Sequence, residues 1–347
     1  MNFYNNIHPY YCGIDLHSRS LYVCIIAQDG KTCLHKEIPA NPEKLIELLT
    51  PYIGQVVIGV ECMHCWYWIA DFCEKHAIDF ILGHALYMKA IHGGKAKNDR
   101  IDSFKIATLI RGGNFPIAFV YPKEKRATRD LLRRRMKIVR HGAHLKAHVV
   151  NTTSQYNLPP NKVNLKNIGA REILNSTFSD PVVQKNINLD MAILDCYAKE
   201  LSKIEWFIEQ QAKQHNPVQL HILKSISGIG RILALTIIYE IGDINRFSSV
   251  QKFASYARLV KCKAESAGKS YGTQGNKIGN AHLKWAFSEA AVLYLRGNKR
   301  AQTYLLKLQK RMSKAKALSA LAHKLGRCIY FMLKNETVFN ENKFLKC

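Results

Sequence analysis

Four acidic residues in the first third of the chain have the types and spacing of metal ligands. Asp15 and Glu61 each end a predicted strand. Asp99 and Asp102 are three residues apart near the start of a predicted helix, a spacing that places both on one face. Converging carboxylates repel unless cations neutralise them, and hard oxygen ligands select Mg²⁺ or Mn²⁺. Two such ions about 4 Å apart can stabilise the attacking and leaving oxygens of a phosphodiester displacement. Taken singly, an acidic residue at such a position is more often a solvent-exposed turn residue than a metal ligand.

The elements around these acids predict a mixed α/β domain. Runs rich in β-branched and aromatic residues predict strands at 11–15, 21–27, 33–38, 56–60 and 80–82. Helical patterns predict helices at 41–49, 65–76 and 99–111, the first capped by Asn41 and the last stopped by Gly112. The order β-β-β-α-β-α-β-α is typical of a ribonuclease H-like fold, in which the first and fourth strands are neighbours. Asp15 and Glu61 would then converge.

The charge of the chain is strongly asymmetric. Lys and Arg number 51 against 26 Asp and Glu, a net charge of +25. The first 120 residues hold 11 of each sign, which leaves 40 basic and 15 acidic residues in the remainder. Such an excess predicts a polyanionic partner, because each neutralised phosphate releases counterions.

Membrane insertion and secretion are not indicated. No apolar run approaches the ~20 residues of a spanning helix, and the polar start MNFYNNIHPYY does not resemble a signal peptide. We therefore expect a cytoplasmic protein with no membrane partner, whose ten cysteines are mostly reduced.

Beyond residue 122 the sequence predicts an all-α part. Residues 126–148 form a basic amphipathic helix with eight Lys or Arg and one acid, and 189–215 form a second long helix. Two such helices predict antiparallel or intersubunit coiled-coil packing, and the stretch around Pro159 predicts a loop. We therefore divide the chain into a catalytic domain at 8–122, a basic helical region at 123–218 and a mostly helical domain at 219–340.

A glycine-rich turn opens the third region. In Lys224-Ser-Ile-Ser-Gly-Ile-Gly, Gly228 and Gly230 are typical of a helix-hairpin-helix turn, where backbone N–H groups approach a phosphate at a helix N-terminus. A tight connection between two core helices is an equal alternative.

Several motifs resemble the insertion sequence 110 family of transposases, whose relatives include a DNA invertase. GIDLHSRSLYV from Gly13, Gly59-Val-Glu, and KNDRIDS from Lys97 resemble its three acidic motifs. FASYARLV from Phe253, Glu265-Ser-Ala-Gly-Lys, and GNKIGNAHLK from Gly275 resemble its second signature domain. The resemblance spans about residues 10 to 335.

This resemblance implies a catalytic tetrad at Asp15, Glu61, Asp99 and Asp102 on a RuvC-like domain. It also implies a serine at position 266 that links covalently to DNA; Ala267 stands there in place of an expected glycine. On its residues alone, Ser266 in this Gly- and Lys-rich loop is more typical of a phosphate contact or a turn former. The resemblance further implies homodimers or homotetramers, double-stranded DNA, action at the bacterial nucleoid and a structured guide RNA. The predicted nucleic-acid contacts are Arg126, Arg129, Arg133, Arg134, Arg135, Lys137, Arg140, Gly228, Gly230, Gly268, Lys269, Lys277 and Lys284, with His282 as a further candidate.

One departure from the family pattern raises a zinc alternative. Cys62 and Cys65, followed by Cys73 and His76, have the residue types of a zinc site. Both pairs fall on one strand end and one helix, which cannot readily close round a single ion. Core packing is therefore the preferred interpretation of these cysteines.

The hypothesis from the sequence is a transposase or recombinase in which Ser266 attacks DNA at a composite site with the metal-binding acids, within one chain or across subunits. Two alternatives stay open. The first is a metal-dependent nuclease or Holliday-junction resolvase without a covalent intermediate. The second is a noncatalytic nucleic-acid-binding protein whose carboxylates are structural.

Overall fold

The computed structural model describes residues 2–91, 98–158, 165, 168–274 and 278–345, with the backbone alone described at 90, 262–266 and 270–274. The chain divides into two compact units, Met1–Lys123 and Glu124–Cys347. The first is a mixed α/β unit and the second is mostly helical, as the sequence predicts.

Unit 1 is built on one twisted sheet. Its strands are β1 (Phe3–Tyr4), β2 (Tyr10–Leu16), β3 (Ser20–Ala27), β4 (Thr32–Pro39), β5 (Val56–Glu61), β6 (Asp79–Gly83) and β7 (Phe115–Ala118). Within the described part of the unit these seven strands lie in the order β1-β7-β6-β5-β2-β3-β4. β2, β3 and β4 form an antiparallel meander, while β5 pairs parallel to β2 and β6 parallel to β5.

Helices cover both faces of this sheet. They are α1 (Pro42–Leu49), α2 (Tyr67–Lys75), α3 (Ala85–Ile91) and α4 (Asp99–Arg111). Ile14 and Leu16 of β2 belong to the core that includes α1 and α2 residues, while Tyr11 belongs to the core that includes α4. Since side chains alternate along a strand, odd-numbered residues of β2 lie on the α4 face.

Unit 2 consists of long and short helices with one hairpin. The helices are α5 (Lys123–Gln155), α6 (Ile168–Ser176), α7 (Pro181–His215), α8 (Pro217–Lys224), α9 (Arg231–Ile241), α10 (Val250–Tyr256), α11 (Ala281–Tyr294), α12 (Lys299–Gln309), α13 (Lys314–Lys334) and α14 (Glu341–Leu345). The hairpin strands are β8 (Cys262–Ser266) and β9 (Lys269–Gln274), which pair antiparallel.

Unit 2 has two separate apolar cores. The larger gathers α8, α9, α10, α11 and α13 around Tyr239, Phe253 and Phe287. The smaller joins the end of α5 to α6 and the first half of α7 through Val149, Phe178 and similar residues. The two long helices run antiparallel, since Arg135 pairs with Glu205 and His148 with Asp190. Coiled-coil packing and the three-domain division remain predictions.

The structure extends several predicted elements and adds short ones. The helix predicted at 126–148 spans Lys123–Gln155, and the one predicted from 189 begins at Pro181, capped by Asp180. β1 and β7 have only 2 and 4 residues, too few for alternation to reveal them. The predicted loop at Pro159 lies outside the described residues. Among the helices that are described, none is long and apolar enough to cross a membrane.

Candidate metal centre and nucleic-acid surface

The carboxyl ends of β2 and β5 place two predicted ligands side by side. The strands pair in parallel, with Ile14 opposite Val60, so Asp15 and Glu61 are the next residues on neighbouring strands. Both are odd-numbered, and the odd-numbered Tyr11 and Val57 pack in the core on the α4 side. Alternation therefore directs both acids to the α4 face of the sheet.

Helix α4 supplies the other two acids from its first turn. Asn98 caps the helix, its side-chain oxygen accepting from the N–H of Ile101 at 2.7 Å. Asp99 and Asp102 follow directly, where the unpaired N–H groups of the helix start favour negative charge.

A glycine allows α4 to lie directly on β2. A Cβ at Gly13 would lie 2.3 Å from the carbonyl oxygen of Ser103 and 2.4 Å from the amide nitrogen of Ala107. Ser103 is fully buried at this contact, and His35 of β4 hydrogen-bonds the Arg100 carbonyl at 2.9 Å. This close approach brings the first turn of α4 over the end of β2.

Three potential ligand atoms meet at this point. His17 Nε2 is 3.4 Å from Asp15 Oδ2 and 3.4 Å from Asp99 Oδ2. All three ligand atoms lie within 4.8 Å of one another. Among the described residues, Glu61 and Asp102 do not belong to this grouping, and Asp102 Oδ1 is 3.4 Å from Lys105 Nζ.

The pKa of Asp15 is raised mainly by burial and to a smaller extent by nearby like charge. Burial raises the pKa of Asp15, the charge of His17 lowers it, and the charges of Asp99 and Asp102 raise it further, so that the net shift is upward. Asp102 is therefore close enough to act on Asp15 although it lies outside the tightest group. A divalent cation would relieve this repulsion, and the donor set of carboxylate oxygens fits one.

His17 was not predicted as a site residue. Its side chain is 43% exposed, yet its Nε2 atom is shielded from water and is held only by the two 3.4 Å contacts to Asp15 and Asp99. The only signal in the sequence was its spacing of two residues from Asp15, but β2 ends at Leu16, so strand alternation alone does not place His17.

The cysteines near Glu61 do not form a zinc site among the described residues. Burial raises the pKa of Cys73 to about 12, and this thiol lies in the core with α1 and α2 residues. Zinc binds thiolates, which such burial disfavours. Cys62 is exposed, while Cys65 donates weakly to the Leu16 carbonyl at 3.8 Å.

The predicted catalytic serine ends β8 at the tip of the hairpin in unit 2. Ser266 pairs with Lys269 across a two-residue turn of Ala267 and Gly268, whose φ angles are +49° and +72°. Positive φ at both turn positions is typical of tight hairpins and favours glycine, so Ala267 is strained. Gly268 and Lys269 are exposed, and the side chain of Ser266 lies outside the described residues.

The base of this hairpin is tied to the helical core. The N–H of Asn280, which caps α11, donates to the Tyr256 carbonyl at 2.6 Å. Arg258 Nε donates to the Ile278 carbonyl at 3.0 Å. The Asn280 side chain donates to Glu240 Oε2 at 2.7 Å. The two ends of the hairpin segment are therefore joined to each other, and the Asn280 end is joined to one buried acid.

Two arginines of α5 also form ion pairs with Glu240. Arg133 Nε lies 2.6 Å from Oε1, and Arg129 Nε lies 3.2 Å from Oε2. Burial alone would raise the pKa of Glu240, but hydrogen bonds and charge from Arg133, Arg129 and Asn280 lower it to about 2. Glu240 was also not predicted, although it is the one acid in a mostly apolar α9 sequence.

The predicted contacts on α5 fall into two groups. Arg126, Arg129, Arg133 and Arg135 are buried or ion-paired within unit 2, Arg135 with Glu205 at 2.7 Å. Arg134, Lys137 and Arg140 are exposed and recur at three-residue spacing, which places them along one side of the helix. Lys284 is exposed on α11, His282 is partly buried there, and Lys277 lies outside the described residues.

The glycine turn before α9 has a packing role. Gly228 has φ +86°, and a Cβ there would lie 2.6 Å from the backbone of Leu293 and Tyr294 in α11. Gly230 precedes α9 and faces open space, while Arg231 pairs with Glu209 at 3.0 Å. Close helix packing accounts for Gly228, and phosphate binding at this turn remains a prediction.

Comparison with curated proteins finds no match. Two family models do match, each covering one of the regions described above. A DEDD transposase model of the IS110 family, described as Transposase, matches residues 12–157, which include the acidic centre and α5. A model described as Transposase IS116/IS110/IS902 family matches residues 220–306, which include the hairpin and Glu240. With both models matching in their own regions, the chain belongs to the IS110 family of transposases.

Proposed function

We propose that this protein is a DNA transposase that cleaves and rejoins strands through a serine–DNA intermediate, assisted by Mg²⁺ or Mn²⁺ at the acidic centre. The observation that carries the proposal is the meeting of Asp15, His17 and Asp99 atoms within 4.8 Å in a region that matches DEDD transposases. Asp15, Glu61, Asp99 and Asp102 would hold the metal, which supplies charge stabilisation to a phosphate undergoing displacement.

The covalent step is assigned to Ser266. Its Oγ would attack a DNA phosphorus atom, lose its proton and form a phosphoserine ester, while the displaced sugar oxygen takes up a proton. Attack on that ester by a hydroxyl of another strand releases Ser266 and rejoins the DNA. The exposed turn of Gly268 and Lys269 beside Ser266 supports this role, since backbone and positive charge can approach a phosphate there.

We assign unit 1 to the ribonuclease H-like, RuvC-like class. The strand order β4-β3-β2-β5-β6, with the first three antiparallel and the last two parallel to β2, supports this assignment. Double-stranded DNA is the substrate, and the exposed row of Arg134, Lys137 and Arg140 is the surface we propose for a guide RNA backbone or DNA. A homodimer or homotetramer is proposed from family membership.

The test is recombination of supercoiled DNA carrying the element ends, with adducts trapped on denaturing gels. Asp15→Asn should lose cleavage and keep DNA binding, and Ser266→Ala should lose both the adduct and strand exchange. Asp29→Asn, in the β3–β4 turn, is the matched control and should retain activity.

The outcomes separate the alternatives. Full recombination by Ser266→Ala would reject the serine step and favour a metal-dependent nuclease or resolvase. Absence of cleavage by the unmodified protein, with DNA binding unchanged in Asp15→Asn, would favour a noncatalytic binding protein. Sequencing the nucleic acid that co-purifies with the protein tests the guide RNA, because a single discrete RNA matching the DNA that flanks the element is expected.

A further inference from the structure

We infer that His17 Nε2 is a protein ligand of the divalent ion, so that the centre is a mixed nitrogen–oxygen site and not a purely carboxylate one. This inference rests on the metal centre of the proposed function. It adds a ligand to the four predicted acids and changes which ions the centre should prefer.

The geometry suits one shared ion. Nε2 stands 3.4 Å from an oxygen of Asp15 and 3.4 Å from an oxygen of Asp99. An ion about 2.1 Å from each ligand in octahedral geometry holds neighbouring ligands about 3 Å apart. The two distances from Nε2 therefore need to shorten by only a few tenths of an ångström.

The environment of the imidazole supports the same role. Nε2 is shielded from water and makes only the two long contacts of 3.4 Å to the acids, although the side chain as a whole is 43% exposed. A shielded polar atom that is held only by long contacts is poorly satisfied, and a closer interaction would stabilise it. The position between two carboxylates is where a cation would supply that interaction.

The local chain holds His17 in place from both sides. His17 directly follows β2, and its N–H donates to the Ser20 carbonyl at 3.0 Å in the turn that leads into β3. Asp99 is fixed by the capped start of α4. The two partners of Nε2 thus come from separate elements, and the contact does not arise from neighbouring residues of one flexible loop.

A nitrogen ligand has a consequence for metal choice. Mg²⁺ prefers oxygen ligands and retains water, whereas imidazole favours first-row transition ions. Mn²⁺ should therefore bind more tightly than Mg²⁺, and loss of His17 should weaken Mn²⁺ binding more than Mg²⁺ binding. Loss of groups that merely orient ligands costs 10- to 100-fold in affinity, so we expect about a tenfold loss or more for a direct ligand.

The test uses full-length protein freed of nucleic acid, with Mn²⁺ as the probe. Electron spin-echo envelope modulation should detect coupling of bound Mn²⁺ to an imidazole ¹⁴N, and calorimetry should give the Mn²⁺ and Mg²⁺ affinities. His17→Gln should lose the nitrogen coupling and bind Mn²⁺ about tenfold more weakly, with a smaller change for Mg²⁺. His221→Gln, at an exposed position of α8, is the matched control and should retain both signals.

Three other outcomes of these measurements would each contradict a stated part of the proposal. Mn²⁺ bound without nitrogen coupling in the unmodified protein would show that His17 is not a ligand. The carboxylates would then bind the ion alone, and the metal centre of the proposed function would be retained. Coupling that persists in His17→Gln would also overturn it, since another group would be the ligand. No Mn²⁺ binding at all would overturn the metal centre of the proposed function itself.

Discussion

Replacement of Glu240 by Gln removes the charge that connects α5 to the base of the β8–β9 hairpin, which carries Ser266. Glu240 is 2% exposed and accepts from Arg133, Arg129 and Asn280. Gln keeps the shape of the side chain but leaves two arginines without their counter-charge. We expect α9 and the hairpin base to open more readily, while the other helices of unit 2 stay folded.

The size of the expected loss of stability follows from the lowered pKa of Glu240. Folding lowers the pKa from 4.5 to about 2, which corresponds to about 3 kcal/mol of stability at pH 7. Removal of one partner of a buried ion pair typically costs about 3–5 kcal/mol, in agreement with that value. Opening should therefore become about 100-fold more frequent, since each 1.4 kcal/mol is a factor of about ten.

Hydrogen exchange measured by mass spectrometry localises this effect. Peptides from α9 and from the segments around Tyr256 and Asn280 should exchange about 100-fold faster in Glu240→Gln at pH 7. Glu200→Gln is the control, because Glu200 is an exposed residue of α7 paired only with the nearby Lys203 among described partners, and it should leave exchange unchanged. An acceleration below about fivefold in α9 would refute the stabilising role of this ion pair.

The pH dependence provides an internal check. Because the folded pKa is depressed, the contribution of Glu240 is fully present above the unfolded pKa of 4.5 and is lost as pH falls toward 2. The stability difference between the unmodified protein and Glu240→Gln should thus shrink from about 3 kcal/mol at pH 7 to about 2 kcal/mol at pH 3.5. A difference that does not change with pH would assign the effect of the substitution to packing.

Two further predictions concern unit 2. Gly228→Ala should lower the melting temperature in calorimetry by several degrees, because its φ of +86° and the α11 backbone 2.6 Å away exclude a Cβ, whereas Gly230→Ala faces open space and should have little effect. Equal losses would show that the close approach is not what requires Gly228. Alanine at Arg134, Lys137 and Arg140 should reduce the slope of log affinity for duplex DNA against log salt by about 0.9 per lost phosphate contact, and three exposed lysines of α7 serve as the control. An unchanged slope would place DNA elsewhere.

Regular elements with clear periodicity were predictable from the sequence. α4 has the predicted bounds of Asp99–Arg111, because Asn98 caps it and Gly112 follows it, and both signals are local. The order of the strands and helices between residues 11 and 111 was predictable for the same reason, because each element has its own local pattern. β1 pairs with β7 across more than 100 residues, and such pairing leaves no local pattern to read.

Asp15 and Asp99, two of the three residues whose ligand atoms cluster, were among the acids predicted from the sequence, but the geometry of the cluster was not. Strand ends and helix starts identify Asp15, Glu61, Asp99 and Asp102, whereas which oxygens meet depends on how closely α4 approaches β2. That distance is set by Gly13, whose missing side chain admits the helix backbone. The sequence shows the glycine but not its neighbour, so the contact of His17 with both Asp15 and Asp99 could not be foreseen.

For the basic helix α5, composition alone predicts a larger nucleic-acid surface than the structure leaves exposed. Eight basic residues between 126 and 148 predict a polyanion interface, yet Arg129 and Arg133 neutralise a buried acid that lies more than 100 residues away in the chain. A buried carboxylate needs such partners, since an unpaired charge in the core is strongly destabilising. Part of the positive charge of this helix therefore stabilises the fold around the β8–β9 hairpin, and the exposed Arg134, Lys137 and Arg140 are the part that we propose for nucleic acid.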